Sequence, residues 1–286
     1  MIEMKGKVCI VTGSNSGIGK ETALALASMG VAVVMVVRNR ERGEKARAEI
    51  VGKTSNDATA LMICDLTSMD SIRQFTKQFD SRYDRLDVLI NNAGAFVSKR
   101  QTTVDGFEAT VAVNYLGPFL LTYELLPLLK SSAPSRVINV GSGMHRTGKM
   151  DLDELQSENS HNAMSAYANS KLMMTTYTYE PARRLEGTGV TANVVEPGFV
   201  ATNLARNSGS LLYSLGFTVM RPFQVSAKKG AETSVYLASA HEVEGVTGKC
   251  FSKLRETTTA RISYDQQVQS RLWDATAKLL GLPPMR

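Results

Sequence analysis

Short, largely apolar runs recur along the chain and alternate with longer segments in which apolar residues return every three or four positions. The runs at 8–12, 32–37, 60–64, 88–91, 137–140 and 192–195 are apolar at successive rather than alternate positions. Both faces of each predicted strand are therefore covered, as in a parallel sheet. Helix-period segments lie between them, at about 17–29, 41–51, 68–82, 106–129 and 163–185, which is the rhythm of βαβ units. A run at 248–251 supplies a seventh strand, and 266–280 a closing helix. The pattern predicts an α/β chain: a doubly wound parallel sheet of about seven strands with helices on both faces. With no internal repeat and no linker rich in Pro, Gly or Ser, one domain spans 1–286.

Three local signals refine this picture. Thr67-Ser-Met-Asp70 has the spacing of a capping box and predicts the start of the third helix. Pro181, inside the fifth helical pattern, predicts a kink or a stop. Residues 203–225 contain no clear strand and mix Gly, Ser and Asn with Leu211, Leu212, Tyr213, Leu215, Phe217, Val219 and Met220. A connection that long predicts a substrate lid, with packing on the domain or on a second subunit as the alternative.

Composition narrows the class. The 286 residues are 43% hydrophobic and 21% charged, values that exclude extensive disorder and fibrous repeats. The net charge of +6 suits an anionic ligand, but no nucleic-acid recognition motif accompanies it, so no nucleic-acid partner is expected. Cys9, Cys64 and Cys250 are too few and too scattered for a disulfide framework or a zinc site, which points to a reducing compartment and a cytoplasmic location. The longest nearly apolar stretch, 116–129, is interrupted by Pro118, Glu124 and Pro127 and falls short of the ~18 residues of a membrane span. The first residues are charged and run straight into a strand, so no leader is predicted. Peripheral membrane contact and homo-oligomerisation stay open.

The chemistry begins where the first strand enters Thr12-Gly-Ser-Asn-Ser-Gly-Ile-Gly19 and then a helix. Gly13, Gly17 and Gly19 allow a tight turn and close approach to a pyrophosphate, and the helix N-terminus offers free N–H groups beside Ser14, Asn15, Ser16 and Ile18. Position after a strand and before a helix is what marks such a turn as dinucleotide-binding, and the missing GK[ST] ending disfavours a nucleoside-triphosphate loop. The second strand ends Val36-Val37-Arg38-Asn39-Arg40, with no acid before Glu41. An acid there holds a ribose 2′-hydroxyl and an arginine a 2′-phosphate, so Arg38 points to NADP(H). The alternative is that Arg38 opens a solvated charged helix face. Tyr167 and Lys171, four apart in a helical segment, share a face. A phenol titrating near pH ~10 exchanges protons at neutral pH only if its anion is stabilised, which an ammonium can do.

Thr12-Gly13-x-x-x-Gly17-Ile18-Gly19, Asp65-Leu66, Asn91-Asn92-Ala93-Gly94, Asn114, Ser142, Tyr167-x-x-x-Lys171 and Pro197-Gly198-x-Val200-x-Thr202 resemble, in order and spacing, the short-chain dehydrogenase/reductases over nearly the whole chain. The stretches GKETALALASMG, DLTSMDSI and LEGTGVTANVVEPG, with the long interval from Ser142 to Tyr167, look like the retinol dehydrogenase subgroup. The resemblance implies a Rossmann fold with Tyr167 as general acid in reduction and base in oxidation. Lys171 would lower the pKa of Tyr167 and bind the nicotinamide ribose, Ser142 would hold the substrate oxygen, and Asn114 would anchor a water. The cofactor would meet residues 13–19 and Arg38, with Asp65 and Leu66 at the adenine and Asn92, Ala93 and Gly94 at the adenosine ribose. Pro197, Gly198, Val200 and Thr202 would take the nicotinamide carboxamide.

Two positions depart from the subgroup: Gly141 stands for the first serine of a Ser-Ser pair, and Glu196 for an apolar residue or histidine before Pro197. His145 reads as a hydrogen-bonded structural residue rather than a substrate ligand, and His161 and His241 have no partners in view. The resulting expectation is an NADP(H)-dependent oxidoreductase transferring hydride between nicotinamide and an apolar carbonyl or alcohol, retinoid-like or otherwise lipid-derived. The alternative is a non-catalytic NADP(H)-binding regulator.

Overall fold

Val8–Thr12 forms the first strand, β1, with every residue buried. In the computed structural model, which describes residues 2–156, 162–200 and 225–283, the other apolar runs follow as predicted. They are β2 (Ala32–Val37), β3 (Ala60–Ile63), β4 (Val88–Asn91), β5 (Ser135–Val140), β6 (Val190–Glu196) and β7 (Cys250–Ser252). The helices are α1 (Gly17–Ser28), α2 (Arg40–Thr54), α3 (Met69–Asp80), α4 (Ala109–Ser131), α5 (Ala163–Arg184), α6 (Ala227–Ser239) and α7 (Gln266–Leu279).

The sheet order is β3-β2-β1-β4-β5-β6-β7, all parallel, with one further strand beyond β7. Alternate residues of each central strand feed two cores. Ile10, Val34, Leu89 and Val137 pack with Phe75, Phe119, Tyr177 and Trp273, whereas Val11, Val33, Ile90 and Ile138 pack with Leu26, Ile50 and Leu237. The helices thus cover both faces, and the strand order reverses between β1 and β4, where a crevice opens beyond the strands' C-terminal ends. On the first face, the rings of Phe119 and Trp273 (centroids 4.8 Å apart) and of Phe119 and Tyr177 (4.9 Å) join α4, α5 and α7. Each such pair adds ~0.5–1.5 kcal/mol beyond the area it buries.

Four details differ from the sequence expectation. The sheet has eight strands, because β8 (Arg255–Thr257) pairs antiparallel with β7. The connecting residues Lys253 and Leu254 have φ of 51° and 65°, a turn that ordinarily announces itself by Asn or Gly, and here neither is present. The Leu254 N–H is instead held by Thr233 Oγ1 at 3.3 Å. Second, the cap of α3 is Ser68, whose Oγ accepts the Ser71 N–H, while Thr67 turns back onto Asp65 Oδ1. Third, α5 runs on through Pro181 to Arg184, since a proline in the last turn removes one hydrogen bond near an end that is already opening. Fourth, α4 begins at Ala109, not 106, because the Glu108 carboxylate caps the N–H groups of Thr110 and Val111.

Within α4, Ala112–Leu116 forms a π turn. Pro118 lacks the N–H that would bond the Asn114 carbonyl in a regular α-helix, so the sequence itself widens the helix at Asn114. The Ala109–Ser131 helix has the length and apolarity of a membrane span, and most of it is buried within this fold.

Candidate active site

The cofactor half of the crevice is built where β1 and β4 end side by side. Thr12 Oγ1 accepts the N–H groups of Asn92 and Ala93, each at 2.9 Å, and Asn92 Nδ2 donates to the Thr12 carbonyl at 2.8 Å. This zipper leaves room only for glycine across from it. Gly13 has φ of +67°, and a Cβ there would lie 2.8 Å from Ala93 Cα; a Cβ on Gly19 would lie 2.6 Å from the Gly13 carbonyl oxygen. Helix α1 is also capped unlike its neighbours. Asn39, Ser68, Asn162, Ser226 and Asp265 each close the first turn of their helices with a side-chain oxygen. Ser16 makes no such bond, and no acid stands in the first turn of α1. The first-turn N–H groups and the positive end of the helix dipole are thus left for an external anion.

A cleft of about 1310 Å³ runs from this turn in both directions. Toward β2 it is lined by Arg38, Asn39, Arg42 and Lys45, and by Lys20 ion-paired with Glu49. Arg38 stands where the sequence predicts. Arg42 and Lys45, which read as part of a solvated charge run, are brought to the same wall by the first turns of α2. Asp65, Leu66, Ala93, Gly94, Pro197, Gly198 and Val200 line the cleft as well. Asp65 uses its carboxylate on the Thr67 N–H and hydroxyl. These features fit a dinucleotide: a glycine cradle that a Cβ would fill, an open helix N-terminus and a basic wall.

The other end gathers the four predicted catalytic side chains. Tyr167 and Lys171 lie on α5, Ser142 heads the 3-10 turn Gly143–Thr147 after β5, and Asn114 sits in the π turn. Lys171 is buried, with Nζ donating to the Val140 carbonyl at 2.8 Å and 5.8 Å from the centre of the Tyr167 ring. Burial raises the Tyr167 phenol above its ordinary value, and a hydrogen bond with Ser142 offsets part of that rise. Asn114 uses three of the four hydrogen bonds its side chain can make: Oδ1 accepts the Ala95 N–H at 2.7 Å, and Nδ2 donates to the Ala95 carbonyl and to Ser170 Oγ, each at 2.9 Å. It clamps the 92–95 loop to α5. With both amide hydrogens engaged, any water it anchors must donate to it, at the second lone pair of Oδ1 or at the backbone carbonyl in the widened turn.

The two departures acquire physical reasons. A Cβ on Gly141 would lie 3.0 Å from Val194 Cγ1 and 3.3 Å from the Val195 carbonyl oxygen, so glycine lets β5 end close against β6. Glu196 is buried and ion-paired with Arg146. His145 is fully buried and bonded at both ring nitrogens, as a structural histidine should be. Thr202, the 203–225 segment expected to form a lid except for Val225, and His161 lie outside the described residues. Val200 bridges Val225, and the Val225 N–H meets the Phe199 carbonyl at 2.8 Å.

Burial pulls the Lys171 pKa down to about 8. Since that lies below the unfolded-chain value, the unfolded state binds more protons between about pH 8 and the usual lysine range, and stability rises with pH across that window. Below about pH 8 the full penalty of burying the ammonium is present. Lys171→Met should therefore stabilise the ligand-free chain near neutral pH, by an amount on the order of 2 kcal/mol after the lost Val140 bond is counted. The gain should shrink above about pH 8. Denaturant unfolding across that range checks it, and a variant less stable than wild type at every pH would contradict it.

A crevice of this kind at the reversal of a parallel sheet defines a dinucleotide-binding α/β protein. The model of the short chain dehydrogenase family matches residues 7–211. Human retinol dehydrogenase 12 is 42% identical over 281 residues, covering 98% of this chain and 88% of its own, and human retinol dehydrogenase 13 is 42% identical over 282 residues, covering 97% and 85%. Among solved structures, an uncharacterised protein from Mycobacterium paratuberculosis superposes with a TM-score of 0.80 at 29% identity, covering 99% of this chain and 97% of that one. The Pseudomonas aeruginosa RhlG/NADP active-site complex does so with 0.70 at 25% identity, covering 88% and 97%. The chain belongs to the short-chain dehydrogenase family and is an oxidoreductase of the retinol dehydrogenase-like kind, using a nicotinamide cofactor on small alcohols or carbonyls.

Proposed function

We propose that the protein is an NADP(H)-dependent oxidoreductase that interconverts apolar aldehydes or ketones with their alcohols. The observation that carries this reading is the single cleft joining the basic wall of Arg38, Arg42 and Lys45 to Tyr167, Lys171 and Ser142. A reduced nicotinamide bound there supplies the hydride for the carbonyl carbon. The chain's own residues handle the oxygen. Ser142 Oγ holds the carbonyl oxygen, and Tyr167 transfers its phenolic proton to that oxygen as negative charge develops, giving the alcohol and leaving the phenolate to be reprotonated. In oxidation the same phenolate takes the alcohol proton. A phenol raised by burial is fully protonated at neutral pH, which suits the reductive direction. Lys171, held by the Val140 carbonyl, keeps an ammonium beside the ring.

Support for an apolar substrate comes from the walls around Tyr167. Phe96 meets its ring edge-on at 5.9 Å, and Val97, Met144, Met164 and Phe199 line the same end of the cleft. The human retinol dehydrogenases, named for retinol, align over nearly this whole chain, so retinoid-like or other lipid-derived aldehydes are the class proposed.

Arg38 and its neighbours support NADP(H) over NAD(H). A charge-assisted contact to a 2′-phosphate contributes ~1.5–3 kcal/mol, or roughly tenfold or more in affinity. Arg38→Ala should weaken NADPH by about that factor and leave NADH within about twofold. Titrations of both cofactors on wild type and variant test it, and equal losses for the two would overturn the assignment.

A further inference from the structure

The turn that carries Ser142 and the chain that leaves β6 at Pro197 are tied together by side chains with no part in the proton and hydride transfers described above. His145 is fully buried. Its Nε2 accepts the Ala260 N–H at 3.0 Å, so the ring proton resides on Nδ1, which donates to the Ser142 carbonyl at 2.8 Å. Burial lowers the pKa of the ring and keeps it neutral. Beside it lies the Glu196 carboxylate, the last residue of β6, with Oε1 3.4 Å from the same Nδ1. Arg146 Nη1 straddles that carboxylate, 2.8 Å from Oε1 and 2.9 Å from Oε2, and Arg146 Nη2 donates to the Thr258 carbonyl at 2.5 Å.

A buried carboxylate without a counter-charge is strongly destabilising, so Glu196 is tolerable at the end of β6 because Arg146 reaches it. The contact joins residues 50 apart in sequence. One side follows Ser142 by four residues, and the other precedes Pro197 directly.

We infer that His145, Arg146 and Glu196 act as a positioning unit that holds Ser142 in register with the Pro197-Gly198 turn. It thereby sets the substrate oxygen against the nicotinamide. The inference rests on the reading of Ser142 as the donor to that oxygen. His145 fixes the backbone of Ser142 from below, and the ion pair fixes the separation of the two loops. Displacements of about 1 Å in such an arrangement lower rates by up to ~10²-fold without removing any reacting group.

The test is steady-state reduction of a long aliphatic aldehyde with NADPH, with cofactor dissociation constants and unfolding midpoints measured alongside. Arg146→Met, Glu196→Gln and their double variant should each lower kcat by about tenfold, with NADPH affinity within about twofold. The double variant should be no worse than the worse single one, because the pair acts as a unit. His145→Asn, which keeps a donor at the Nδ1 position, should retain several-fold more kcat than His145→Leu at matched temperature below both midpoints. Unchanged kcat in the folded Arg146 and Glu196 variants, a double variant whose loss is the product of the singles, or equal kcat in the two His145 variants would overturn the unit. Tyr167→Phe in the same assay separates the two levels. If it keeps near wild-type kcat, the reading of the site fails; if it is inactive while Arg146→Met and Glu196→Gln keep wild-type kcat, only the positioning unit fails.

Discussion

Tyr167→Phe is expected to lower kcat by about 10³-fold or more while NADPH affinity stays within about twofold. The substitution removes one hydroxyl and keeps the ring, so the edge-on contact with Phe96 and the packing of α5 remain. Neither the glycine turn nor the basic wall touches the phenol oxygen, and cofactor binding should be indifferent to its loss. A chain that merely senses NADP(H) would lose nothing by the change. Near wild-type turnover in the variant would mean that the proton comes from another group.

Gly19→Ala should produce the mirror-image defect, with cofactor binding lost before chemistry is reached. The added methyl meets the Asn92 side-chain amide and lies 2.6 Å from the Gly13 carbonyl oxygen. The amide belongs to the zipper between β1 and β4, in which Asn92 Nδ2 donates to the Thr12 carbonyl at 2.8 Å, and the carbonyl belongs to the phosphate turn. The methyl must therefore push open the phosphate turn or break that bond. NADPH affinity should fall by about 100-fold, equivalent to about 3 kcal/mol, with folding retained by circular dichroism. A cofactor titration indistinguishable from wild type would mean that the dinucleotide does not approach this turn.

What could be read from the chain alone was whatever short-range pattern determines. The apolar runs became β1 to β7 because burial on both faces leaves a continuous apolar signature, and the glycine turn announced itself by its place between strand and helix. Features fixed by distant partners were not visible. Strand β8 depends on a Lys253-Leu254 turn held by Thr233, and the choice of Ser68 over Thr67 as cap depends on Asp65 taking Thr67 for itself. Arg42 and Lys45 looked like solvated charges because nothing local says that α2 begins beside the cleft. Glu196 stood out only as a departure, since its partner Arg146 is supplied by a turn elsewhere in the chain. The π turn at Asn114 is an instructive intermediate case. Pro118 was in view as an interruption of an apolar run, yet its effect, widening the helix where Asn114 must clamp the 92–95 loop, follows only once the helix is known to run through both.

The most direct test of an NADP(H)-dependent carbonyl oxidoreductase with an apolar site is loss of absorbance at the reduced-nicotinamide band, followed for a series of straight-chain aldehydes with NADPH and with NADH. Each methylene buried against Phe96, Met144, Met164 and Phe199 is worth ~0.8 kcal/mol, so kcat/KM should climb about three- to fourfold per carbon until the cleft is filled. NADPH should exceed NADH at every chain length. A flat series, or one that favours small polar carbonyls with either cofactor alike, would contradict the account.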